Sequence, residues 1–239
     1  MAPLLLLSLN SQADNLIELD QSLGGNNLDL NIVQAGANNT IQCYIDSSCW
    51  IEGDDFTLHL EQINTTNSEN VIEIWHLEGD GNTQRFGQGL HLTNSSDTTF
   101  SYDGSEGGGH YARLDIHGDN NTVVGFQQNA GSTTGHIYRQ LIFSDDNDVW
   151  IKQQNNGQKT IDLMTVSDEN IVSIVQKGNN SEHQANVSLY GTYGTTLDLK
   201  QQGTTTQTYQ LTQYCYTVGG CLLYTSPSPR DRTRSRMPS

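Results

Sequence analysis

Histidine, acidic and cysteine side chains are the groups in this chain that could catalyse a reaction or bind a metal. The seven histidines are scattered, and no Gly-x-Ser-x-Gly phrase places a nucleophile beside one of them. The acidic turns at 119–121 and 145–148 could bind calcium weakly, but they match neither the EF-hand nor the Gly-Gly-x-Gly-x-Asp repeat. Solvated turns are the simpler interpretation. We therefore expect no enzyme activity, no bound metal and no cofactor.

The four cysteines occur as two pairs with the same spacing, Cys43-x5-Cys49 and Cys215-x5-Cys221. In an exported chain, local pairs of this kind indicate small disulfide loops. Zinc is the rival interpretation, but the sequence has no Cys-x-x-Cys and no histidine at ligand spacing nearby. We expect two disulfides.

Glutamine, asparagine and glycine recur in one phrase, which is clearest at 34–41. Leu28, Leu30 and Ile32 precede it with polar residues between them, so Gln34 falls on the same side of a strand as the aliphatic residues. A glycine in the phrase can take positive φ without steric cost, as a tight turn requires. Looser copies lie at 176–181 and 201–206. The residues expected to form the ladder and its turns are Gln34, Gly36, Asn39, Gln62, Asn121, Gln128, Asn147, Gln153, Asn170, Gln176, Gly178, Gln201 and Gly203.

The elements that must position these residues are short strands. Turn signals recur at steps of roughly 10 to 16 residues, which suits a strand of five to seven residues and a turn. Two steps make a repeat of about 24 residues. Helical spacing is not sustained anywhere, and 84–110 is the least regular stretch. The sequence predicts an all-β fold, a β-solenoid of strand–turn–strand repeats with two facing parallel sheets.

Composition excludes some functions. Apolar residues make up 34% of the chain and charged residues 16%, and the formal net charge is −16. A basic face for nucleic acid is not expected from such a balance. No apolar run is long enough to span a bilayer.

The two ends depart from the repeat pattern. Residues 1–13 have an apolar run followed by small residues, which indicates a truncated secretory signal peptide; a first buried strand is the alternative. Residues 222–239 carry three prolines and four arginines and resemble translated sequencing-adaptor sequence, so we regard them as a non-native tail. The repeat domain is predicted to span 14–221.

Stacking such repeats has physical consequences. One strand pair cannot be stable alone, whereas stacked copies form two sheets with a spacing of about 4.8 Å between strands. Buried glutamines can then donate to one another from rung to rung, as in Asn/Gln ladders of cross-β structures. A stack also has two open ends, whose unpaired backbone groups can receive another copy, and a head-to-tail contact that does not close gives a filament.

The phrase Gln-x-Gly-x-x-Asn between two strands resembles the curlin repeat. Gln34, Gly36 and Asn39 match it closely, although Ile41 stands where alanine is usual, and Asn155 stands where glycine is expected after Gln153. The resemblance implies a secreted structural or adhesion protein, an amyloid fibre subunit of a bacterial biofilm matrix or pilus-like fibre. Its expected partners are further copies of itself or related curlin-like subunits, with contacts to a cell surface or matrix.

Two non-polymerising secreted solenoids remain as alternatives. An ice-binding protein needs a flat array of threonines at a fixed strand position, and the threonine pairs here do not align in that way. A β-helix enzyme acting on carbohydrate needs longer loops on one side and clustered acids with basic partners. The short regular steps and the few lysines and arginines favour the fibre subunit over both.

Overall fold

The computed structural model consists of strands and turns without helices in the part of the chain that it describes. That part comprises residues 5–9, 15–18, 27–35, 39–42, 50–63, 69–89, 108–129, 135–155, 158–166, 169–178, 182–191, 195–203 and 207–215. The strands are β1 (Leu5–Leu9), β2 (Asn15–Glu18), β3 (Asp29–Ala35), β4 (Asn39–Gln42), β5 (Trp50–Glu52), β6 (Thr57–Ile63), β7 (Ile74–Glu78), β8 (Thr83–Gln88), β9 (Leu114–His117), β10 (Thr122–Asn129), β11 (Tyr138–Ile142), β12 (Asp148–Asn155), β13 (Lys159–Val166), β14 (Ile171–Lys177), β15 (His183–Gly191), β16 (Thr196–Gln202) and β17 (Gln207–Cys215).

These strands form parallel sheets, as the alternation in the sequence predicts. Sheet A has the order β1-β3-β6-β8-β10-β12-β14-β16, and sheet C has the order β17-β15-β13-β11-β9-β7-β5. Strands β2 and β4 pair in a separate two-stranded sheet. From β6 onward the chain alternates between sheets A and C, so each coil contributes one strand to each sheet. The predicted all-β solenoid with two parallel sheets is confirmed.

The length of one coil is close to the predicted repeat. Hydrogen-bonded glutamines on successive strands of sheet A are separated by 28, 26, 39, 26, 23 and 25 residues. The interval of 39 contains an insertion between β8 and β10, which coincides with the irregular stretch 84–110. Insertions of this kind are accommodated at a corner without disturbing the stacked strands.

The core lies between sheets A and C and is built from columns of equivalent residues. One column of sheet A places Leu58, Gln84 and Val123 opposite one another on successive strands. Aliphatic side chains occupy most positions of these columns and are almost fully buried. Gly125 takes one such position because the Phe86 ring fills the space that a Cβ would need.

Strand β7 contains an irregularity that changes which side chains face inward. The sequence pattern places Ile72, Ile74 and His76 on one face. The register shifts between Ile74 and Leu77, so Leu77 is buried and His76 is only half-buried. A bulge reverses the alternation in this way because it adds one residue to one strand.

Two turns that lead into sheet A, at 79–82 and 118–121, share the pattern Gly-Asp-x-Asn, and the turn at 144–147 has serine in the first position. Gly79 has φ 132° and Gly118 has φ 119°, and a Cβ on either would collide with the carbonyl group of the preceding turn. The third position is left-handed at Gly81, Asn120 and Asp146. Glycine and asparagine are the residues that adopt this conformation most readily.

Several sequence predictions fall outside the described residues. These include Gly36, Cys43, Cys49, Cys221 and the side chain of Cys215, so both disulfides stay predictions. The tail 222–239 also lies outside. Within 1–13 the structure describes β1, paired with β3, and cleavage of a signal peptide there stays a prediction. In the described part of the chain, no helix is long and apolar enough to cross a membrane.

Candidate functional site

A continuous ladder of seven buried glutamines runs through sheet A. In each step the side-chain Nε2 donates to the Oε1 of the glutamine on the preceding strand, over 2.7 to 3.0 Å. All seven are 8% exposed or less. The ladder has one direction, since every amide donates toward the N-terminal end of the stack. Its members are Gln34, Gln62, Gln88, Gln127, Gln153, Gln176 and Gln201.

Most of these amides make a second bond across the corner to the strand that follows. Gln34 donates to the Thr40 carbonyl over 2.8 Å, and Gln153 donates to the Thr160 carbonyl over 2.9 Å. Gln176 and Gln201 make the same bond to Gln184 and Thr208. The ladder therefore fixes the stacking register and also ties sheet A to the strands that face it.

The prediction that Gln128 is the ladder residue of β10 is wrong. Its neighbour Gln127 is the ladder member, since Gln127 Nε2 donates to Gln88 Oε1 over 2.7 Å. In the sequence, the alternation of Val124, Phe126 and Gln128 suggested that these three residues face the core, because a glycine was not expected at a core position of this strand. Phe126 instead packs with Trp150 in a separate cluster, and Gln128 accepts a bond from Gln154.

Gln88 is a ladder residue that sequence reasoning missed. It lies in β8, inside the stretch that looked irregular, and it bonds to Gln62 and Gln127 on the flanking strands. A signal was present: Gln88 follows Gln84 and Phe86 at period two and comes directly before a glycine. Gly89 has φ 73°, as expected for the turn that ends the strand.

Asparagines form a second ladder at the opposite corner, directly before the strands of sheet A. The Asn121 backbone N–H donates to Asn147 Oδ1 over 2.9 Å, and the Asn147 N–H donates to Asn170 Oδ1 over 3.0 Å. Asn82 extends the ladder by donating its N–H to Asn121 Oδ1. These backbone donations satisfy N–H groups that a buried turn would otherwise leave unpaired. At the other corner, beside the glutamine ladder, Asn70 Nδ2 donates to the Oδ1 of Asn39, the first residue of β4, over 3.1 Å.

Exposed carboxylates stack beside the asparagine ladder. The N–H groups of Asp80, Asp119 and Asp145 each donate to the carboxylate one coil below, starting from Asp54, over 2.7 to 3.0 Å. Within the described residues, no group of three or more metal-ligating side chains is arranged to hold an ion. The column gives one edge of the stack a dense negative charge.

The glycines of the looser copies lie at the glutamine corner, one above the other. The Gly178 N–H donates to the Gln202 carbonyl over 2.9 Å, and a Cβ on Gly203 would collide with the Gly178 carbonyl oxygen. These turns are close because successive coils lie only one strand spacing apart. Glycine at 203 permits the approach.

A column of buried histidine and lysine lines the same corner at the start of sheet C. The His136 N–H donates to His110 Nδ1 over 3.1 Å, and Lys159 lies opposite His183 in the sheet register. All four side chains are 2% exposed or less. Burial, reinforced by the Lys159 charge, lowers the pKa of His136 to about 3 and that of His183 to about 4. Burial also lowers the pKa of Lys159 to about 8.

The last coil leaves the core columns open. Tyr209 is 37% exposed, whereas Ala185, opposite it on the preceding strand, is fully buried. Leu211 is only partly buried and packs against the core. Among the described strands, β16 and β17 are each paired on one side only. Within the part of the chain that the structure describes, strand pairing and core burial therefore both stop at this end.

Comparison of the chain with protein-family models, with curated proteins and with solved structures finds no match. The resemblance to the curlin repeat therefore stays a prediction from the motif.

Proposed function

We propose that this protein is a secreted structural subunit that assembles end to end into a curli-like cross-β fibre. The observation that carries the proposal is the one-directional glutamine ladder that ends at the open coil of β16 and β17. Gln201 is its last member, and its Nε2 is used toward Gln176 and Thr208. Its Oε1 is the acceptor that a further glutamine would use.

Strand β3, the first strand of sheet A after the predicted signal peptide, is suited to supply that glutamine. Strand β3 carries Leu30, Ile32 and Gln34 on its inward face, and β16 carries Leu197, Leu199 and Gln201. A second copy that placed β3 against β16 in parallel would continue the two aliphatic columns and the ladder without a change of register. An open parallel edge is a known template for strand addition.

The predicted signal peptide bears on this contact. Strand β1 pairs with β3 and places Leu9 opposite Gln34. Leucine cannot continue an amide ladder. Under the proposal, export and cleavage of 1–13 remove β1, which exposes β3 and limits assembly to the outside of the cell. The fibre then serves as an extracellular matrix or adhesive filament.

Substitution at the open end tests the proposal. Leu211→Asp places a charge on the core column that a second copy would cover. The buried carboxylate would cost several kcal/mol in the contact, but little in the monomer because Leu211 is already partly exposed there. We expect fibre formation, followed by thioflavin T fluorescence and sedimentation of the mature chain, to be slowed at least tenfold.

Thr212→Asp is the matched control, since Thr212 is the next residue on β17, is also half-buried, and faces the outer side of sheet C. It should assemble within about twofold of the wild-type rate, the range expected for a surface substitution. Equal slowing by both variants, or none by Leu211→Asp, would reject the open coil as the contact.

A further inference from the structure

A column of exposed aromatic and aliphatic side chains, the outer column, runs along the outer face of sheet C from β9 to β17. His117 and Phe143 stack with ring centroids 4.9 Å apart. Tyr190 and Tyr214 stack at the same distance, and Val166 joins the two stacks because it lies opposite Tyr190. Phe143 is 41% exposed, Val166 38% and Tyr214 53%. Stacking covers the faces of these rings, so their outward edges form the exposed apolar surface.

The rest of this outer face carries balanced charges. Arg113 pairs with Asp115 at 3.0 Å, and Arg139 pairs with Asp162 at 3.5 Å. The outward residues of β15 and β17 are uncharged. In a chain with a net charge of −16, this is a face on which two copies can approach closely without facing a net like charge.

The order of charges along two coils favours one arrangement of two copies. Arg113 and Arg139 lie near the starts of β9 and β11, and Asp119 and Asp145 lie in the exposed turns that follow these strands. Two such faces that meet with antiparallel strands bring the arginine end of each coil to the aspartate end of the other. This arrangement is a twofold rotation about an axis parallel to the stack, so each coil faces its own counterpart.

The area of this face decides when it can act. Five strands of sheet C, with three outward residues each, span roughly 24 by 20 Å, or on the order of 500 Å². A stable interface buries about 800 Å² on each partner. A single pair of subunits falls short of that area, whereas two subunits in line on each side exceed it, because repeated contacts act together.

We propose that the outer face of sheet C from β9 to β17 joins two filaments of this chain side by side. The inference rests on the proposed end-to-end assembly, since only a filament repeats the face often enough. The half-buried Leu141 and Met164 lie on the twofold axis and meet their counterparts. The outer column of each filament then lies against the Arg139 and Asp162 side of the other, and both filaments run in the same direction.

An exchange of charge at two exposed positions tests this arrangement. Phe143→Lys with Val166→Glu keeps the net charge, but it places the new lysine opposite Arg139 and the new glutamate opposite Asp162 of the second filament. Wild-type filaments of the mature chain should contain two subunits per axial repeat of about 34 Å, which is seven strands of sheet A without β1. The variant should contain one, so its mass per length in scanning transmission electron microscopy should be half that of wild type.

Phe143→Glu with Val166→Lys is the matched control. It introduces the same two residue types as neighbours on adjacent strands, but each new charge faces an opposite charge across the axis. Its filaments should stay paired. By thioflavin T fluorescence, both variants should elongate within about twofold of the wild-type rate, as expected for surface substitutions.

Three results would overturn the inference while leaving end-to-end assembly intact. They are wild-type filaments with one subunit per repeat, unchanged pairing in Phe143→Lys with Val166→Glu, or equal loss of pairing in both variants. A wild-type chain that forms no filaments would reject the end-to-end proposal and this inference with it.

Discussion

At the scale of single residues, the glutamine amide performs two tasks in the stack. Gln176 donates to Gln153 and to the Gln184 carbonyl, and it accepts from Gln201. Each bond is worth about 1 kcal/mol, and a buried partner left unpaired costs about 1 to 3 kcal/mol. A shift in register would break several of these bonds at once and leave buried amides unpaired. The ladder therefore stabilises one register of sheet A.

Replacement of two adjacent ladder residues measures that cost. Gln176→Leu with Gln201→Leu leaves Gln153 and two backbone carbonyls without their donors. We expect a loss of about 2 to 4 kcal/mol in the free energy of unfolding, with slower assembly because the terminal acceptor is gone. Urea denaturation and thioflavin T kinetics measure the two effects.

Gln202→Leu is the control for that pair, because Gln202 adjoins Gln201 and is exposed. Its stability and assembly rate should stay close to wild type. A double variant that behaved like Gln202→Leu would show that the amides do not determine register.

The buried histidines predict acid sensitivity. His110, His136 and His183 have pKa values lowered by burial, to about 3 for His136 and about 4 for His183. In the unfolded chain they titrate near 6.5, so below that pH the unfolded state binds more protons than the folded state. The histidines should therefore make stability fall progressively from about pH 7 toward pH 4, whereas the Lys159 pKa of about 8 should make stability rise between pH 8 and about 10.4.

Chemical denaturation at pH 7.5 and 5.0 checks this pH dependence. His183→Asn should reduce the loss between the two values, whereas His76→Asn on the outer face should not. A midpoint that is independent of pH, or one that rises in acid, would contradict the buried column.

At the scale of elements, strand β8 holds two glutamines in opposite circumstances. Gln88 is a ladder member, whereas Gln84 lies between Leu58 and Val123 in an apolar column. Gln84 is 1% exposed, and neither its Oε1 nor its Nε2 has a hydrogen-bond partner within the described residues. Glutamine should therefore destabilise the fold at position 84 and stabilise it at position 88, four residues further along the same strand.

One substitution made at both positions tests this difference. Gln84→Leu should raise the free energy of unfolding by about 1 to 3 kcal/mol, because it removes an unpaired buried amide. Gln88→Leu should lower it by about 2 to 4 kcal/mol, because it breaks the ladder on both sides. Urea denaturation of the two variants gives the signs directly, and two changes of the same sign would contradict the assignment.

The ladder could be predicted from the sequence wherever the sequence shows which face of a strand points to the core. Regular alternation of aliphatic residues and a terminal glutamine was sufficient for β3, β6, β12, β14 and β16. It failed in β10, where two adjacent glutamines allowed either parity and the core position was a glycine covered by Phe86. It also could not reveal the histidine column, since that column arises from contacts between coils far apart in sequence.

At the scale of the whole molecule, the fold follows from the recurrence of the repeat and does not depend on the exact length of any one coil. The two sheets and a coil near 25 residues followed from the turn spacing, even though the insertion before β10 lengthens one coil to 39 residues. A solenoid tolerates such variation because each coil contacts only its neighbours. The ends of the stack are different, since they have a neighbour on one side only.

The acidity of the chain should oppose assembly at low ionic strength. With a net charge of −16, approaching copies repel one another over the Debye length, which is about 10 Å at 0.1 M salt. Assembly should therefore accelerate as salt is raised from 0.01 to 0.3 M. Light scattering over a salt series measures the assembly rate, and a rate that is independent of salt would contradict this expectation.

Fibre diffraction combined with electron microscopy of the mature chain tests end-to-end assembly most directly. The account predicts unbranched filaments with a strong meridional reflection near 4.7 to 4.8 Å, because the strand spacing of the solenoid continues across each subunit boundary. A chain that remains monomeric and dye-negative at high concentration, or filaments without that reflection, would contradict it.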